Sequence, residues 1–295
     1  MYTLKFKRFI SLNKIRAYIG FFPASVFFSI FLIIPLIILL LLSIEPSDVT
    51  GYKGNYPWLS NYLYYFKSEY YRSIIIRTLR FATITTVLSV VIGYVAALIL
   101  RRIASRFGNI AVLVLTFPIF SGSIVTVLGW MIMLTGGGII GQSWNTMRIF
   151  FGLSETSSRL LGTDGAVIVG MVHFNLAFVI LNILNVLLQI DPNLELAAMN
   201  LGAKSWRTFW RIVWPLSLPG IFSATLLSFA FGLNAFVSPT YLGNKSRLVM
   251  TTLVSQSMFT THNWQFASTA SIILLSISLL IILLQIRIFR ASIKF

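Results

Sequence analysis

Residues 191–219 read DPNLELAAMNLGAKSWRTFWRIVWPLSLP. The stretch carries five charges in a chain where 10% of residues are charged, and long apolar runs flank it on both sides. Asp191-Pro192 is a helix start, because Asp accepts from free backbone N–H groups and Pro suits the first helical position. Glu195 in the first turn favours the positive end of the helix dipole. Leu194, Ala197, Ala198 and Leu201 fall at i, i+3, i+4 and i+7 and share one narrow apolar stripe. Gly202 supplies a C-terminal stop. Ser205 is placed to cap a second helix, with Trp206, Phe209, Trp210 and Val213 as its stripe and Arg207 and Arg211 pointing elsewhere. Pro215 and Pro219 are expected to end it. The bulky aromatic stripe is expected to pack under the protein's own helices, and the small one to insert into a groove on another protein. By pattern alone, an ordinary amphipathic interfacial loop fits equally well.

The flanks decide the class. Of the 295 residues, 57% are apolar, and the mean hydropathy is +0.86. That excludes an ordinary soluble domain and points to a polytopic membrane protein. Uncharged runs cover 17–44, 81–100, 107–135, 165–190, 212–244 and 248–286. A helix needs about 20 apolar residues to cross the hydrocarbon, so each run holds one span and six are expected. The last two runs exceed one span and are expected to include interfacial or unwound pieces. A β-barrel does not fit, because barrel strands alternate apolar and polar residues. There is no cysteine, which excludes disulfides, thiolate metal sites and lipidated cysteines. The first apolar run is too long for a signal-peptide core and reads as an uncleaved span.

The net charge of +16 follows topology rather than a nucleic-acid surface. With both termini cytoplasmic, fourteen of the 23 basic residues fall in inner segments, against the two acids Asp191 and Glu195. This agrees with the positive-inside rule. The elbow then lies on the cytoplasmic side, between spans four and five. Arg101–Arg106 reads as a short, tight connection between helices. The first outer loop, 45–72, carries Gly51, Gly54, Pro57 and the tyrosine-rich NYLYYFKSEYYR, suited to the headgroup zone. Arg77 and Arg80 open the second span and are expected at the outer interface. The second outer loop, 136–164, begins TGGGIIGQSW and reads as a short amphipathic helix. No Lys-Ser/Thr follows that glycine run, so it is not a Walker-type loop.

Polar residues inside spans are functional candidates. Trp130 lies in the third span, His173, Asn175, Asn182 and Asn185 in the fourth, and Asn234 and Ser238 near the outer end of the fifth. Helix-to-helix hydrogen bonding is the plainer reading of each Asn, and packing that of the His. The helix-breaking NAFVSP, 234–239, is the stronger candidate for lining a path, because unwound backbone in a membrane normally faces a cavity. No Asp or Glu lies inside a span. A stand-alone secondary transporter normally needs such acids or an ion site at broken helices. A membrane enzyme needs clustered catalytic groups, yet His173 and His262 stand far apart.

The opening stretch resembles a loop of ABC-importer permeases whose pattern is Glu-Ala-Ala, three residues, Gly, nine residues, Ile-x-Leu-Pro. Ala197, Ala198, Gly202, Ile212 and Pro215 match. Leu196 stands where the acid is expected, Glu195 is one residue early, and Trp214 replaces the Leu. RTLRFATITTVLSVVIGYVAALILRR, FPIFSGSIVTVLGWMIMLTGGGIIG, LPGIFSATLLSFAFGLNAFVSPTYLG and NWQFASTASIILL extend the resemblance over residues 75–285, to the spermidine/putrescine-type branch of binding-protein-dependent permeases.

The resemblance implies an all-α permease subunit of an ATP-driven importer in the bacterial inner membrane, and not an enzyme. It implies a second permease subunit, identical or different, two ATPase subunits that bind ATP and Mg, and a periplasmic solute-binding protein. It implies no cofactor on this chain and no nucleic acid. Leu194, Glu195, Ala197, Ala198, Leu201, Gly202 and Ala203 would seat in the ATPase groove. The domain organisation expected is a cytoplasmic tail (1–19), the first span and outer loop (20–72), the permease transmembrane domain with its coupling elbow at 191–215 (73–290), and a C-terminal tail (291–295). A polyamine would want carboxylates or an aromatic cage along its path; this chain offers aromatics but no pore carboxylate, so either the partner permease supplies the acids or the solute is not a polyamine. What the resemblance implies is a solute that is polyamine-like or another small organic molecule.

Overall fold

A computed structural model describes residues 22–23, 25–47, 59–152, 160–244 and 247–292, with backbone alone at 104–120 and 290–292. The N-terminal tail 1–19, Gly51, Gly54, Pro57, Arg159, Lys245 and residues 293–295 lie outside that description. Among the described residues there is no strand. Six helical segments are long and apolar enough to cross a membrane: Ser25–Ile44, Glu69–Ile103, Ser123–Phe150, Asp164–Gln189, Ser205–Leu233 and Trp264–Phe289.

In chain order the helices are α1 (Ile34–Ile44, preceded by a π-helical stretch Ser29–Ile33), α2 (Ser60–Lys67), α3 (Glu69–Phe120), α4 (Ser123–Leu134), α5 (Ile139–Phe150) and α6 (Asp164–Gln189). They continue as α7 (Pro192–Asn200), α8 (Ser205–Thr208), a π-helical turn Phe209–Val213, α9 (Trp214–Leu233), α10 (Val237–Leu242), α11 (Met250–Phe259) and α12 (Trp264–Ser292).

Helices α3, α6 and α9 form the centre. Tyr94, Ala97, Val179, Ile180, Ile183, Leu187 and Ala224 interlock there. Small residues allow the backbones to approach. A Cβ on Gly93 would lie 2.6 Å from Val179 Cγ1, and one on Gly232 would lie 2.8 Å from the Ala82 Cα. The first span is peripheral, with 6% of its most apolar window buried. It is tied to α12, where the Thr269 hydroxyl donates to the Ser43 carbonyl at 3.0 Å.

The structure corrects or sharpens four expectations. Helical backbone continues through Arg101–Arg106, from Glu69 to Phe120, yet the chain reverses between Arg101 and Ser123, because Arg101 meets the Ile190 carbonyl at one end of the bundle while Val127 packs with Phe81 and Ala166 at the other. That hexapeptide contains no Gly or Pro. The helix ends at Ser121-Gly122, where Gly122 takes φ +77°, and α4 begins at Ser123. Pro215 and Pro219 do not end the elbow's second helix, which is continuous with the fifth span. The π-helical turn explains this. Trp214 N–H reaches back five residues to the Phe209 carbonyl, and the widened turn makes room for the ring of Pro215. The tyrosine-rich stretch is surface-exposed at Leu63, Phe66 and Tyr70, but one of its tyrosines turns inward. Tyr65 is fully buried, stacked on Tyr71 at 4.9 Å and close to Phe266 at 5.5 Å. Arg80, half-exposed, pairs with Asp164 at the start of α6, which also pairs with Arg247. Arg77 donates to the Leu248 carbonyl at 3.1 Å.

The long fifth and sixth runs are interrupted as expected. The fifth breaks at 234–236 and the sixth at 260–263. The short helix expected after the glycine run is α5.

Candidate functional site

Two features stand at opposite ends of α9. The elbow adjoins its first residue and a cavity adjoins its last, and a 20-residue helix separates them by about 30 Å.

The elbow is built by local signals. The Asp191 carboxylate accepts from Asn193 N–H at 2.9 Å, and Pro192 opens α7. The helix closes in a Schellman motif, with Ala203 N–H donating to the Ala198 carbonyl at 3.0 Å and Gly202 N–H to Met199 at 2.9 Å. Gly202 takes φ +86°, a conformation that favours glycine. The serine cap is not formed. Lys204 holds the cap position of α8, and its carbonyl accepts from Arg207 N–H and Thr208 N–H.

The two stripes face different surroundings. On α7, Leu194, Ala197 and Leu201 are exposed, Leu201 by 89%. Ala198 and Ala203 are half-buried. Leu196 is exposed too, whereas Glu195 turns inward and pairs with Arg101 of α3 at 2.7 Å. A second nitrogen of Arg101 donates to the Ile190 carbonyl at 3.3 Å. On the second helix the expected anchor is half realised. Val213 is buried and Phe209 packs against the core, but Trp206 and Trp210 are exposed. The widened π turn shifts the register of the stripe. Trp210 packs on Trp206 and Trp214 at 5.5 and 5.4 Å instead. Buried Thr208 completes the seat.

At the other end, a cavity of about 250 Å³ opens where α9 breaks. Its wall is Ser123, Thr126 and Val127 of α4; Gly170, Met171, Phe174 and Asn175 of α6; and the run from Phe231 to Ser238, Leu233 excepted. Among the described residues, no ionisable side chain lines it. The unwound segment expected to face a path contributes Asn234, Ala235 and Phe236. The Thr251 hydroxyl holds it by donating to the Ala235 carbonyl at 2.6 Å.

Of the seven polar span residues singled out from sequence, Asn175, Asn234 and Ser238 line the cavity, and Asn185 is exposed. Asn175 is also helix glue, donating to the carbonyl and hydroxyl of Ser228 at 3.2 and 3.0 Å. Trp130 and His173 face each other at 5.8 Å, away from that wall. Asn182 donates to Phe178 of its own helix at 2.9 Å. Sequence reasoning passed over Phe174, Phe231 and Thr126, because an apolar or hydroxyl residue in an apolar run carries no distinguishing signal. It also passed over Arg101 as the partner of Glu195, 94 residues away; nothing in helical periodicity links them.

The family model described as binding-protein-dependent transport system inner membrane component matches residues 89–294. The chain is 28% identical over 257 residues to the spermidine/putrescine transport system permease protein PotB of Haemophilus influenzae, covering 87% of this chain and 88% of that one. It is 30% identical over 200 residues to the ferric transport system permease protein FbpB of Actinobacillus pleuropneumoniae, covering 68% of this chain and 28% of the other. A bacterial ABC transporter involved in import of the acidic polysaccharide alginate shares the fold, with TM-score 0.76 at 20% identity over 98% of this chain and 100% of that one. That transporter in complex with an alginate pentasaccharide-bound periplasmic protein superposes equally well, at TM-score 0.76 and 20% identity over 96% of both chains.

Proposed function

The chain belongs to the binding-protein-dependent transport system inner membrane component family and is a permease subunit of an ABC importer, a multi-pass inner-membrane protein and not an enzyme; we propose that it couples to its ATPase through the elbow at 191–215 and passes solute along the cavity at the end of α9. In this reading both termini and the elbow are cytoplasmic, residues 73–290 are the transmembrane domain, and the cavity faces the periplasmic half. A second permease subunit supplies the other wall. Two ATPase subunits bind ATP and Mg and grip the elbows, and a periplasmic binding protein delivers the solute, as the complex of the alginate importer suggests.

The observation that carries the coupling role is the exposed small-residue face of α7. Leu194, Ala197 and Leu201 point away from the bundle, while the cap bonds of Asp191 and the turn at Gly202–Ala203 hold that face in shape. An exposed apolar stripe on a helix joined to the core is suited to a groove on a partner.

The solute we propose is a small organic molecule, polyamine-like by relationship to PotB. Phe174, Phe231 and Phe236 offer ring faces to an ammonium or a methylene chain. Among the described residues the wall carries no carboxylate, so charge recognition falls to the partner permease and the binding protein.

The test is co-purification of the ATPase subunit with the permease. Ala197→Arg and Leu201→Asp alter the exposed face without touching the bundle. They are expected to release the ATPase while membrane insertion stays normal. Full retention by both variants would refute coupling through this face.

A further inference from the structure

Arg101 and Glu195 are 94 residues apart, yet they make the only ion pair on the elbow side of the bundle among the described residues. The pair is largely enclosed: the Arg101 side chain is 16% exposed and that of Glu195 29%. Arg101 also holds the Ile190 carbonyl, the last of α6 before the elbow. One guanidinium thus joins α3, the residue that follows α6 and the first turn of α7. Leu98, Arg102, Met199, Thr208 and Phe209 enclose the space around it. Meanwhile Leu196, next in sequence, faces outward and is 53% exposed.

We propose that Glu195 is a positioning residue inside this chain, a strut to Arg101 that fixes the angle of α7 on the bundle, and that the ATPase contact at the neighbouring outward position, Leu196, is apolar. This rests on the coupling role proposed above and assigns its parts. The enclosed acid is committed to α3. Leu196 lies on the flank of α7 away from the Leu194–Leu201 stripe, and neither that stripe nor Leu196 offers an acid to a partner's cation. The partner surface they fit is therefore an apolar groove. Movement of that groove passes to α3 and α6 through a charge-assisted link.

The test uses the whole importer in proteoliposomes. Arg101→Glu, Glu195→Arg and the double exchange are compared for ATPase retention and for ATP turnover stimulated by loaded binding protein. Each single reversal places like charges together and is expected to cut stimulated turnover about tenfold or more, with the ATPase still bound. The double exchange restores most of it. A double variant as poor as the singles would overturn the strut. So would Glu195→Arg releasing the ATPase when Arg101→Glu does not, since Glu195 would then serve the partner.

Because the chain has no cysteine, Arg101→Cys with Glu195→Cys gives a second readout that does not depend on charge. A short bis-maleimide is expected to bridge the two in native membranes; failure to bridge would also overturn the strut. An apolar Leu196 contact predicts that the ATPase stays bound at about 1 M salt, where exposed ion pairs are screened, and that Leu196→Glu weakens retention. Salt-labile binding would refute that half. If the unmodified chain retains no ATPase, the coupling role fails and this inference with it; if it does and only the exchange fails, the strut alone is wrong.

Discussion

The amide of Asn175 reaches from α6 to both the carbonyl and the hydroxyl of Ser228 on α9, at 3.2 and 3.0 Å, with the Asn 2% exposed. One side chain therefore satisfies a polar pair within the apolar bundle, at the edge of the cavity. Asn175→Leu is expected to lower stability by about 0.5–1.5 kcal/mol, read as a lower unfolding temperature in detergent. Asn175→Asp should cost more, because it loses the donor and adds a charge.

The two tight glycines should respond in a fixed order. A methyl at Gly93 meets the end of a valine side chain, which can rotate away. A methyl at Gly232 meets the Ala82 backbone, which cannot. Gly232→Ala is expected to cost about 1–3 kcal/mol and Gly93→Ala clearly less. Thermal unfolding of the two variants checks the ranking.

Asp164 holds Arg80 and Arg247 together, and Arg247 Nε also donates to the Gly162 carbonyl at 2.8 Å. Asp164→Asn is expected to cost about 1 kcal/mol, since these side chains are partly exposed. Arg247→Ala should cost more than Arg80→Ala, because it also frees the Gly162 carbonyl. Raised salt should narrow the Arg80 effect first, in unfolding measured at two ionic strengths.

Burial, reinforced by Tyr71 and Tyr70, pushes the Tyr65 phenol above its ordinary value. The folded state then keeps its proton when the unfolded chain gives it up. Stability from this group is complete below about pH 10, the unfolded pKa, and falls as pH rises beyond it. Tyr65→Phe loses the bond to Met250 Sδ, 3.1 Å long, at a cost of about 1 kcal/mol, and should flatten the alkaline limb of a stability–pH curve.

Thr126 lines the cavity from α4. Under the proposed path, Thr126→Trp fills it and should reduce solute uptake by about tenfold or more, with ATPase retention unchanged. Unaltered uptake would remove this cavity from the path.

Much of this was legible in the chain. Apolar runs locate six spans because lipid demands about 20 apolar residues of a helix. The elbow's first helix could be placed from Asp191, Pro192 and Gly202, because caps act within a few residues. NAFVSP was readable as a break since its residues tolerate one. Longer-range facts were not readable. The links from Arg101 to Glu195 and from Asp164 to Arg80 and Arg247 join residues that only the fold brings together. The burial of Tyr65 depends on Phe266 and Met250, some 200 residues on. The passage of the chain through Pro215 depended on a widened turn that composition does not announce.

That widened turn has one more consequence. The helix from Ser205 to Leu233 is continuous over 29 residues, with a π-helical turn and Pro219 along it. Trp206 and Leu233 lie about 40 Å apart on one element, and the next three residues form part of the cavity wall. The chain thus has a handle and a blade joined through one helix.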